Sequence, residues 1–154
     1  MRVVIACDHV ALQLKQTVTA LLVSLGHTIE DKGTHTVDPV DYPDYALAVA
    51  EAVRSGAADT GILICGSGIG MGIAANKVPG IRAATVSEPY SARMAREHNN
   101  ANVLCFGARV VGEGVAEAIV RAWMDGTFQG GRHVPRLEKI RRIEEGRATA
   151  GCTG

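Results

Sequence analysis

Apolar and polar positions along the chain fall into blocks that predict strands and helices in turn. The run over 2–7, apolar from Val3 onward, reads as a strand and ends at Asp8-His9. Over 11–25, Leu12, Leu14, Val18, Leu21, Leu22 and Leu25 recur at helical spacing, and Gly26 caps that helix. His27–Asp31 is a short second strand, followed by a loop over 33–42 that contains Pro39. A helix is expected from about Pro43 to Ser55, with the proline in its first turn and Gly56 ending it. Thr60–Ile64 is apolar on both faces, the pattern of a parallel strand covered on both sides. A glycine loop over 66–72 then leads into a helix that ends near Asn76. Strands over 81–86 and 101–106 alternate with helices over 88–98 and 112–124, and 133–145 reads as a last amphipathic helix with a basic face. The tail 147–154 is small and polar, and mobility is expected of it.

Strands alternating with helices imply an α/β domain over 1–146: one doubly wound parallel sheet of about five strands with a C-terminal helix. In such sheets ligands bind beyond the carboxyl ends of the strands. The residues expected there are Asp8 and His9, Cys65 to Gly72, Ser87 and Glu88, and Gly107 to Arg109. Sixteen basic residues balance 16 acidic ones in 154. The chain therefore has no global charge reason to prefer nucleic acid or a membrane surface, and any anion must be held locally. It opens on a strand and contains no run of about 18 apolar residues, so a soluble, cytoplasmic protein is expected.

The chemistry concentrates in Cys65-Gly66-Ser67-Gly68-Ile69-Gly70-Met71-Gly72. Alternating glycines let a backbone approach a ligand closely and turn several N–H groups toward one anion. No Gly-Lys-Ser/Thr follows, so this is not a Walker loop. Gly70–Ala75 fits the loose G-x-G-x-x-A dinucleotide pattern, but after the third strand and without an acidic partner about 20 residues on. The four cysteines Cys7, Cys65, Cys105 and Cys152 form no Cys-x-x-Cys pair, which leaves zinc and dithiol chemistry without support. A cysteine in an apolar run is commonly buried and inert. Cys65 is set apart by its place at the strand-to-loop junction, where amides and a helix N-terminus favour a thiolate. A thiolate there could take a proton from a carbon next to a carbonyl, with the loop amides stabilising the enediolate. Ser67 could add a hydroxyl.

Cys65–Gly70 with Ala74-Ala75-Asn76-Lys77 resembles the loop of the ribose-5-phosphate isomerase type B family, which also holds galactose-6-phosphate and allose-6-phosphate isomerases. Further blocks resemble it in the same order: Cys7-Asp8-His9, Asp41-Tyr42-Pro43, Ser87 to Ala92, Glu97-His98-Asn99, Asn102 to Gly112, and Gly130-Gly131-Arg132-His133 with Arg136. The resemblance spans about residues 1–146. It implies a Rossmann-like fold, dimers or tetramers, no cofactor and no metal, and a place in the pentose phosphate pathway.

Carried over residue by residue, it makes Cys65 the base and gives His98 the opening of the furanose ring. Asp8 and Tyr42 would contact the sugar. Asn99 and the amides of Gly66, Ser67, Gly68, Ile69 and Gly70 would hold the enediolate. His9, Arg109, Arg132 and Arg136 would gather around the phosphate. Some relatives carry a glutamate where this chain has Met71, which leaves the cysteine route. The resemblance also implies that His98 and the late arginines reach into a partner subunit's site. A tetrulose phosphate or a hexose 6-phosphate is the alternative substrate. A nucleotide-binding module and a purely structural oligomer are the alternatives of other classes. Arg141 and Arg142 read as a solvated helix face, and His27, His35 and His133 receive no role.

Overall fold

The computed structural model describes residues 1–147, so the expectation of a mobile tail lies, apart from Arg147, outside the described residues, as does Cys152. Five strands form one parallel sheet in the order β2-β1-β3-β5-β4: β1 (Arg2–Cys7), β2 (Thr28–Asp31), β3 (Thr60–Cys65), β4 (Ala83–Thr85) and β5 (Val103–Gly107). The helices are α1 (Leu12–Ser24), α2 (Tyr42–Arg54), α3 (Ile69–Ala75), α4 (Pro89–Asn99), α5 (Glu113–Asp125) and α6 (Val134–Glu144). A 3₁₀ turn, Gly131–His133, leads into α6.

Successive strand residues point to opposite faces, and here the two faces bury separate cores. Val3, Ile5 and Cys7, Ile62 and Ile64, and Leu104 and Phe106 pack with α1, α4 and α5. Val4 and Ala6, Leu63 and Cys65, and Val103 and Cys105 pack with α2 and α3. Burial on both faces is why β1, β3 and β5 read as continuous apolar runs. At Gly61 a Cβ would come within 2.5 Å of Val49 Cγ1, so the glycine lets α2 lie close on the sheet. Trp123, 1% exposed, donates its indole N–H to Thr60 Oγ1 at 3.1 Å, which satisfies its one polar atom inside the core.

The chain winds outward from β1 to β2, then returns to place β3 on the other side of β1. That reversal sets a crevice at the carboxyl ends of β1 and β3. Two expectations change. β4 is only three residues long, and α3 begins at Ile69, so Gly70 and Gly72 belong to a helix and not to a loop.

Candidate active site

Cys65 is the last residue of the central strand, paired with Gly107 of β5, and β1 ends beside it with Cys7 paired to Ile64. The ladder continues past the strands: Ala108 N–H donates to Cys65 O at 2.8 Å and Arg109 N–H to Gly66 O at 3.0 Å. This brings the aliphatic stem of Arg109 beside Gly66, and its Cδ would lie 3.8 Å from a Cβ there. The turn then crosses directly over β5. A Cβ on Gly107 would lie 2.6 Å from Ser67 backbone, and one on Gly68 2.7 Å from Phe106 backbone. Gly68 also has φ +79°, a conformation that side-chain-bearing residues resist. Glycine is required at these two positions by close approach.

This sharp turn folds the Gly68 amide back onto the thiol, and the N–H lies 3.1 Å from Cys65 Sγ. An N–H donor is a partner that stabilises negative charge on sulfur. Cys7 and Cys105, the other described cysteines, lack that setting. Burial pushes the Cys7 thiol up to about 11, against a smaller opposing effect of Lys15. Burial pushes the Cys105 thiol up as well, with the neighbouring Cys65 adding to it. Ser67 uses its hydroxyl oxygen to accept the Ile69 N–H at 3.3 Å, so two amides of the turn already have acceptors within it.

Gly70 and Gly72 have a different task from the one expected of an anion-binding loop. A Cβ on Gly70 would fall 2.7 Å from Cζ of Tyr42, and one on Gly72 2.3 Å from Thr85 Oγ1. They let the Tyr42 ring and β4 pack onto α3. The G-x-G-x-x-A match lies inside that helix, where Gly72 N–H is spent on Gly68 O at 3.1 Å. Its glycines serve packing, which removes the local geometry a dinucleotide fingerprint needs.

Asp8 and His9 follow β1 on the same edge. Asp8 is buried and accepts the Val10 N–H at 3.1 Å. His9 Nδ1 accepts the Val40 N–H at 3.3 Å, so its other ring nitrogen carries the proton of the neutral ring. The segment that supplies Val40 and Tyr42 is tied down by Lys15, a residue sequence reasoning passed over. Lys15, 3% exposed, reaches Asp31 Oδ2 at 2.7 Å and Thr34 O at 2.9 Å. Its position on the Ala11, Val18, Leu22 stripe of α1 was the available signal, because a charge on an apolar stripe requires a buried partner.

His98, Asn99, Arg132 and Arg136 are not on this edge. α4 ends at Asn99, immediately before β5 begins, whereas Cys65 lies at the far end of β5. The two places are separated by the length of that strand, roughly 13 Å. At the amino edge Asn100 closes α4 at φ 44°, and Arg82 donates to the carbonyls of Asn99 and Asn100. The His98 ring stacks on the His133 ring, with centroids 4.4 Å apart and planes 11° from parallel. Arg132 Nε–H reaches His133 Nε2 at 3.4 Å. Burial, then His98, Arg132 and Arg136, hold the His133 imidazole below its usual range. Arg141 and Arg142 are paired with Glu138 on the surface, as a solvated face would be. Among the described residues Arg109, Arg132 and Arg136 have no carboxylate partner. Nor, among those residues, is any group of three His, Cys, Asp or Glu side chains placed to hold a metal. Among the described residues no helix is long and apolar enough to cross a membrane.

Residues 3–140 match a protein family described as Ribose/Galactose Isomerase. The chain is 51% identical over 146 residues to ribose-5-phosphate isomerase B of Escherichia coli, covering 95% of this chain and 98% of that protein. It is 46% identical over 142 residues to D-erythrulose-4-phosphate isomerase of Pectobacterium atrosepticum, covering 90% and 91%. The fold superposes on Clostridium thermocellum ribose-5-phosphate isomerase B with a TM-score of 0.93 at 52% identity, over 95% of this chain and 99% of that one.

Proposed function

The chain belongs to the ribose/galactose isomerase family, and within it we propose that it interconverts D-ribose 5-phosphate and D-ribulose 5-phosphate through an enediolate. The observation that carries this reading is the seat of Cys65: the end of the central strand, at the winding reversal, with the Gly68 amide on its sulfur. In this mechanism the Cys65 thiolate takes the C2 proton of the open aldose. The electron pair moves to give a 1,2-enediolate, and the same sulfur returns a proton to C1. The hydroxyl proton moves from O2 to O1, which completes the ketose without oxidant or cofactor. Tyr42 and Asp8 orient the sugar, and Asn99 with the amides of Gly66, Ser67 and Gly70, those not already spent within the turn, holds the developing oxyanion. His9, Arg109, Arg132 and Arg136 receive the phosphate.

One copy cannot bring its own His98, Asn99, Arg132 and Arg136 to its own Cys65, because a strand's length separates them. We therefore propose a homo-oligomer, a dimer or tetramer, in which these groups complete the site of the neighbouring subunit. His98 there protonates the ring oxygen and opens the furanose. The setting is the cytoplasm, and the active domain is residues 1–146. The 46% identity to a D-erythrulose-4-phosphate isomerase favours one second reading, the same chemistry on a tetrulose phosphate.

The test is turnover of ribose 5-phosphate beside allose 6-phosphate and erythrulose 4-phosphate, together with iodoacetamide labelling mapped by mass spectrometry. The reading expects ribose 5-phosphate to be turned over best and to protect Cys65 from the label. Absence of turnover with protection by NAD would replace it with a nucleotide-binding role.

A further inference from the structure

The stack of His98 on His133 has no part in the roles assigned so far, and its construction is specific. Glu97, the residue before His98, is buried and holds the chain ahead of His133 by two bonds. Its carbonyl accepts the Gln129 N–H at 3.0 Å and its Oε2 accepts the Gln129 side-chain amide at 2.7 Å. Arg93 fixes the other carboxylate oxygen at 2.6 Å. From Gln129 the chain turns through Gly130 and Gly131, at φ 64° and 53°, and the His133 N–H closes the turn on Gly130 O at 3.0 Å. The result puts His133, 5% exposed, face to face with a half-buried His98 in the last turn of α4. Residue 97 holds residue 129, and residue 98 meets residue 133.

Burial first, and then the surrounding charge, hold the His133 imidazole below its usual range. The groups that act on His133 are His98 from α4, Arg132 from the 3₁₀ turn and Arg136 from α6, all cationic or able to become so. The nearby carboxylate, Glu97, is committed to Arg93 and Gln129. Arg132 Nε–H can only donate, so His133 Nε2 must present a lone pair to it. A neutral, buried ring offers its face to an imidazolium, whereas a protonated one would repel it.

We propose that His133 is a positioning residue for His98, a flat and uncharged partner that fixes the plane of the His98 ring while that ring carries and delivers a proton. Since Arg132 bonds to the same ring, the group that opens the sugar and a group that receives the phosphate are held as one piece. The role rests on the isomerase reading, but the stack and the lowered titration of His133 do not.

The experiment uses the full chain labelled with ¹³C at histidine Cε1, alongside His133→Phe and His133→Ala. In the wild type, His133 should gain its proton only below the ordinary imidazole range, and a His133 that titrates within or above that range would overturn the proposal. In steady-state assays on ribose 5-phosphate, His133→Ala should lower kcat by about tenfold or more with KM changed less than about threefold, and His133→Phe should restore kcat to within about threefold. A folded His133→Ala with wild-type kcat overturns the proposal, as does a folded His133→Phe no better than the alanine. If the alanine variant does not fold, the phenylalanine variant and the wild-type titration still decide it. A wild type that turns over no ribose 5-phosphate sinks the isomerase reading instead. The His133 titration then still supports or overturns the neutral stack.

Discussion

The two ends of β5 carry the two halves of the candidate site, and they are built differently. At the carboxyl end the functional groups stand on backbone: the ladder of β3 and β5 runs on through Ala108 and Arg109, and glycines at 68 and 107 let the turn lie flat on the sheet. At the amino end they stand on side chains: a stacked pair of histidines, a glutamate gripping a glutamine, and arginines on exposed helix and turn positions. The first half suits the step in which an atom must be placed against a carbon, where errors of about 1 Å are costly. The second half suits proton delivery and phosphate binding, and it can belong to another subunit because nothing in the β3–β5 ladder depends on it.

The largest effect should come from the backbone-built half. Cys65→Ala should lower kcat by about a thousandfold while leaving the melting temperature nearly unchanged. Near-normal turnover would mean another base and would end the comparison.

Mixing tests whether the halves come from different copies. Cys65→Ala and His98→Asn should each be nearly inactive alone. Unfolded together and refolded as dimers, they should recover about a quarter of wild-type activity, since half the dimers are mixed and each has one intact site of two. No recovery would place both halves in one chain's site.

On its own, His98→Asn should cost roughly 100-fold on ribose 5-phosphate but under about threefold on erythrose 4-phosphate, whose phosphorylated O4 cannot close a furanose ring. Equal losses would remove ring opening from His98.

Within the glycine turn, Gly68→Ala meets the Phe106 backbone at a positive φ and should cost about 1–3 kcal/mol. Gly66→Ala meets only ordinary contacts at 3.7 and 3.8 Å and should change stability by under about 0.5 kcal/mol, read by denaturant melts. Equal costs would show that the turn does not rest on β5 as described.

The smallest effect concerns pH. His133 titrates below the ordinary imidazole value of 6.5 in the folded chain, so on acidification the unfolded chain takes up this proton first. Its contribution to stability is complete above that value and is lost as pH falls toward the folded value. The wild-type melting temperature minus that of His133→Phe should therefore decrease between about pH 7.5 and about pH 5. A constant difference would contradict a neutral His133.

Much of the fold was legible because burial on both sheet faces writes itself as uninterrupted apolar runs, as at Val3–Cys7 and Ile62–Cys65. Helix ends were legible where glycine or proline punctuates them, as at Gly26 and Pro89. The start of α3 was not, since a glycine chosen for helix packing and a glycine chosen for a turn are the same letter. Gly70 and Gly72 were therefore read as part of the loop, although Tyr42 and Thr85 occupy the space beside them. His133 was passed over for a related reason. Its partner is 35 positions away in His98, and only the turn through Gly130 and Gly131 brings them together.

By itself the sequence determined the alternation of strands and helices, the candidate base at Cys65 and the residue types of the site, because these depend on local pattern and on chemistry each residue carries with it. Only the tertiary structure decided which amide meets the Cys65 sulfur, which glycines pack and which turn, that Lys15 is buried against Asp31, and that His98, Arg132 and Arg136 lie a strand's length from the thiol. Those are facts about which distant segments share an edge of the sheet, and they follow from how β3 is placed across β1 from β2 and β5 is inserted between β3 and β4.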